Sequence, residues 1–109
     1  MIEFTATGPP RALSQAIETY AHGQGNVSAL VVPWESDRAR LCMAVTSVKS
    51  DGWAIEHTNL GTISLTDLGN ELTLVAIAAH DPDHPERQKL AALFDRFAHQ
   101  LQSTFEVAP

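Results

Sequence analysis

The chain has 109 residues, 44% of them hydrophobic, and sets 7 Lys and Arg against 13 Asp and Glu, for a net charge of −6 with histidine neutral. That length suits one domain with a single core, spanning 1–109. The basic residues are dispersed from Arg11 to Arg96 and form no cluster to displace phosphate counterions, which argues against nucleic-acid binding.

Ile2 to Ala6 alternates as a short strand with Ile2 and Phe4 on one face, and Thr7-Gly8-Pro9-Pro10 ends it. The prolines can only begin a helix, and Leu13, Ala16, Ile17, Tyr20 and Ala21 trace an apolar stripe from about Pro10 to His22, stopped at Gly23. Val27 to Trp34 is apolar and β-branched enough for a strand, and Pro33 near its end places it at a sheet edge or a bulge. Ala39 to Lys49 is the next strand, with Leu41, Met43 and Val45 facing one way, and Ser50-Asp51-Gly52 is a hairpin turn.

From Trp53 the odd positions Trp53, Ile55, His57, Ile63 and Leu65 alternate with polar Glu56, Thr58, Thr62, Ser64 and Thr66. The phase continues across Asn59-Leu60-Gly61, which predicts one long strand with a bulge or bend at Gly61, a tight hairpin there being the alternative. After a turn at Asp67-Leu68-Gly69-Asn70, Glu71 to Ala79 forms the last strand, with Leu72, Leu74, Ala76 and Ala78 opposed to Thr73, Val75 and Ile77. The closing helix runs from Pro85 to Phe105. Its stripe is Leu90, Leu93, Phe94, Phe97, Leu101 and Phe105, and its start is marked by Pro85 and by the capping-box spacing of Asp83 and Glu86.

The resulting order is β-α-β-β-β-β-α, an α+β fold whose antiparallel sheet packs on one face against a long C-terminal helix. This order, with Gly61-Thr62-Ile63-Ser64-Leu65 through Gly69-Asn70-Glu71-Leu72-Thr73-Leu74-Val75 leading to the helix at Pro85, resembles the helix-grip architecture of START-like, polyketide-cyclase-like domains and the TATA-box-binding-protein-like fold. The resemblance implies a cavity between sheet and closing helix. Such domains carry extra elements after the first helix for which this chain has no room, so the implied cavity is small.

His80-Asp81-Pro82-Asp83-His84-Pro85-Glu86 gathers two imidazoles and three carboxylates, a composition that suits divalent metals. Capping and turn formation already account for these residues, so no metal ligands are assigned. There is no GxSxG elbow, phosphate-cradling glycine loop or CxxC pair, hence no catalytic residue and no cofactor is assigned. Cys42, the single cysteine, reads as a small buried hydrophobe.

Two functions fit this pattern. In the first, a small apolar or aromatic ligand binds between sheet and C-terminal helix; parity places Trp53 and His57 on the helix side, and Tyr20, Trp34 and Met43 line the same pocket. In the second, a non-enzymatic interaction protein forms a homodimer or binds a partner subunit, covering the apolar Val27 to Trp34 strand. A lone cysteine, no leader-like segment after Met1 and no run of 18 apolar residues predict a cytoplasmic protein outside the membrane.

Overall fold

A computed structural model of the chain describes residues 1–80 and 85–107. It contains β1 (Ile2–Thr7), α1 (Pro10–Gln24), β2 (Val27–Val31), a single 3-10 turn (Pro33–Glu35), β3 (Arg40–Asp51), β4 (Ala54–Gly69), β5 (Leu72–Ala79) and α2 (Pro85–Phe105). The five strands form one antiparallel sheet in the order β1-β5-β4-β3-β2. Helix α1 carries the chain from one edge of the sheet to the other, and three successive hairpins bring it back beside β1. Both helices lie on the same face, α1 mainly over β2 and α2 mainly over β1 and β4. No helix among the described residues is long and apolar enough to cross a membrane.

Cross-strand register explains why one face is the core. Phe4, Val75, Leu65 and Leu41 form one row across four strands, and Ile2, Ile77, Ile63, Met43 and Val31 form the next across five. Leu13, Ile17 and Ala21 of α1 and Phe94, Phe97, Ala98 and Leu101 of α2 are buried against these rows. Each large side chain so buried contributes roughly 1.5–3 kcal/mol. Thr73, wholly buried among them, donates its hydroxyl hydrogen to the Gly8 carbonyl at 2.7 Å and so costs no unpaired polar group.

Three element ends differ from the sequence reading. Helix α1 passes through Gly23 and ends at Gly25, whose φ of 81° makes the left-handed cap and directs its N–H to the His22 carbonyl at 3.2 Å. Strand β2 stops at Val31, because Pro33 starts the 3-10 turn. There the Ser36 hydroxyl donates to the Val32 carbonyl and accepts from the Cys42 N–H, replacing the next ladder bond. The last hairpin turns at Asn70 and Glu71, both at positive φ (54° and 60°), as a two-residue left-handed turn requires.

The fourth difference alters the site. β4 is one long strand with a bulge, as its sequence predicts, but the bulge does not preserve the side-chain phase. Val45 pairs with Gly61 whereas Thr46 pairs with Asn59, so Leu60 is the extra residue and every side chain before it moves to the opposite face. Ile63 and Leu65 are fully buried under the helices; Ile55 is 65% exposed and His57 is exposed. Past Ser47, where the pairing with β2 ends, β3 and β4 continue as a two-stranded arm along the molecule's 45 Å long axis.

Candidate interaction surface

Among the described residues no element covers the face of the sheet turned away from the helices. Register places Thr5, Leu74, Thr66 and Arg40 in one row and Glu3, Ala76, Ser64 and Cys42 in the next, followed by Ala78, Thr62, Ala44 and Leu30. Alternation makes this face from the positions between the core residues, and the β-branched Thr and small Ser and Ala found there make it flat. Glu3 and Arg40 are the charged residues of these rows. Arg40 lies down along the sheet, its guanidinium donating to Ser64 Oγ at 3.1 Å. Among the described residues neither has an ion-pair partner.

Both edges of the five-stranded part of the sheet are partly covered. On β1 the segment after α2 adds a short antiparallel contact, Ala6 bridging Glu106 and the Val107 N–H donating to the Thr5 carbonyl at 2.8 Å. On β2 the bonds from Val32 N–H to Cys42 and from Val48 N–H to Asn26 show that the backbone groups of Val27, Ala29 and Val31 point outward. Even so, Val27 and Ala29 are buried, with α1 packed against them. With its edges partly covered, the five-stranded part of the sheet exposes mainly its open face.

A second concavity lies where α1, β2 and the arm meet, an open groove of about 630 Å³. Glu18, Thr19 and His22 of α1 line it together with Leu30, Val48 and His57. His57 reaches it because the bulge has turned it from the core side, whereas Val48, on the unbulged β3, already faces away from Met43 and Val45.

The residues expected to share a ligand pocket are dispersed. Met43 is fully buried in the core, and Tyr20 packs edge-on to Phe105 at 5.9 Å and beside Phe97 at 6.3 Å. Trp34 stands 85% exposed on the 3-10 turn and Trp53 fully exposed at the arm tip, so neither lines a pocket with them. His57 alone of the five borders the groove. The space between sheet and α2, where the pocket was expected, is filled by Phe94, Phe97 and Leu101. Cys42, expected to be buried, is half-buried on the open face.

The capping box and the His80-to-Glu86 cluster fall, apart from His80, outside the described side chains. Among the described residues no group of three or more His, Cys, Asp and Glu is placed to hold a metal ion. No protein-family model, curated protein or solved structure compared with the chain matches it.

Proposed function

We propose that this domain is a non-enzymatic interaction module whose working surface is the open face of the sheet. The observation that carries the reading is the contrast between that face and the rest of the molecule. Charged residues make up 18% of the chain, yet β5 and β4 at the centre of the face offer Thr, Ser, Ala and Leu, with Glu3 on edge strand β1 and Arg40 on β3. A flat surface depleted of charge at its centre is the composition of an interface core. The partial cover over β1 and β2 favours association through the face over strand addition.

Ala76 and Ser64 pair on adjacent strands at the middle of the face. An Ala76→Arg substitution puts a charge there without touching the core, so it should abolish association while the circular dichroism spectrum and melting temperature stay near those of the parent. Association that survives Ala76→Arg unchanged contradicts the reading.

A second reading, binding of a small apolar or aromatic ligand, is supported by the groove beside α1, where Leu30 and Val48 supply apolar surface and His57 a hydrogen-bonding group. Titration with anilinonaphthalene sulfonate tests it. Saturable fluorescence enhancement that His57→Ala weakens supports this reading, and an unsaturable, unchanged response counts against it.

A further inference from the structure

We infer that the partner is a second copy of this chain, stacked sheet to sheet so that Glu3 of each copy meets Arg40 of the other. The inference rests on the open face being the working surface and adds the occupant and its register.

Glu3 on β1 lies in the same cross-strand row as Ala76, Ser64 and Cys42. Arg40 is two residues from Cys42 on β3, but its bond to Ser64 Oγ at 3.1 Å brings its charge into that same row. Within one molecule β5 separates Glu3 from Ser64, about two strand spacings or ~10 Å, too far for an ion pair. A two-fold axis parallel to the strands, midway between β5 and β4, lays β1 over β3 and β5 over β4 of the second copy. Height along the strands is preserved, so Glu3 lands over Cys42, within about one strand spacing, ~4.8 Å, of the guanidinium.

The same operation sets Leu74 over Thr66, Ala76 over Ser64 and Ala78 over Thr62. These small residues suit the ~10 Å separation of packed sheets. The symmetry makes each contact twice, so both charges of both copies are matched. A stacking that left Glu3 and Arg40 unpaired would desolvate them without compensation.

In projection the area is about half of a standard interface's share per partner. Four strands at ~4.8 Å and about seven residues at ~3.3 Å span roughly 19 by 23 Å in projection. Side-chain relief carries this toward the ~800 Å² of accessible surface that each partner of a standard interface contributes.

Charge reversal tests the register. Sedimentation equilibrium on the full chain should show a dimer whose dissociation constant rises about tenfold or more for Glu3→Arg and for Arg40→Glu, since each creates a like-charge contact twice. The double variant, carrying both reversals, should return to within about threefold of the parent. Both positions are exposed, and circular dichroism of each variant verifies the fold. A parent that dimerises while both reversals leave its affinity unchanged overturns this register, and Ala76→Arg then decides whether the open face is used at all. A parent that stays monomeric overturns both the register and the second copy as the partner.

Discussion

Phe94 of α2 rests directly on Gly61 of β4, at the bulge where the strand changes phase. A Cβ at position 61 would lie 2.6 Å from the Phe94 ring and collide with the Ala78 carbonyl on the neighbouring strand. Glycine is required here by close approach and not by backbone conformation. The closing helix, the bulge and β5 therefore meet at one point.

Gly61→Ala should cost about 1–3 kcal/mol, the range for overpacking a filled core, because neither the ring nor the carbonyl can withdraw without disturbing its own packing. Urea denaturation measures it, and a loss smaller than about 0.5 kcal/mol would show that α2 sits further from the sheet than described.

Phe97→Ala should cost about 3–5 kcal/mol. The ring is 2% exposed, and it sits between the sheet and Tyr20 of α1, so its removal loosens both helices. A cooperative transition at unchanged denaturant midpoint would contradict the placement of both helices on one face.

Much of this architecture is legible in the sequence for physical reasons. The α2 stripe recurs at helical spacing over six large side chains, and the structure buries Phe94, Phe97 and Leu101 as that spacing requires. Of the edge position and the bulge that Pro33 allowed, β2 takes the edge, although Pro33 itself lies past the strand in the 3-10 turn. The side of the sheet occupied by Trp53, Ile55 and His57 is not legible, since an alternating pattern reads the same whether or not an extra residue interrupts the pairing. Leu60 becomes that residue only because of what stands opposite it, the step from Val45 to Thr46 on β3. A phase carried past a glycine-containing bulge is the one place where period-two reasoning loses its reference. On β4 past the bulge the open face was readable as the polar half of the alternation, but on β5 both halves are largely apolar, and the face's lack of central charge emerges only from the register that sets β1, β5, β4 and β3 side by side.

The phase change has its own test. Ile55→Ala should alter stability by less than about 0.5 kcal/mol, as for an exposed position, whereas Ile63→Ala on the same strand should cost about 2–5 kcal/mol. Equal costs would restore the uninterrupted phase and place Ile55 under the helices.

Tryptophan fluorescence reports on the expected pocket independently. Trp34 and Trp53 are 85% and 102% exposed relative to the reference residue, so native emission should resemble that of indole in water and be quenched readily by acrylamide. A blue-shifted native spectrum that moves red on unfolding would mean that one of them is enclosed.

The central claim is that the open sheet face is a self-association surface, and light scattering over a hundredfold range of protein concentration tests it most directly, with Ala76→Arg measured alongside. The parent chain should move from the monomer mass toward twice that mass as concentration rises, while Ala76→Arg stays at the monomer mass throughout. A parent that holds the monomer mass across the whole range, or an Ala76→Arg variant that dimerises equally well, would contradict it.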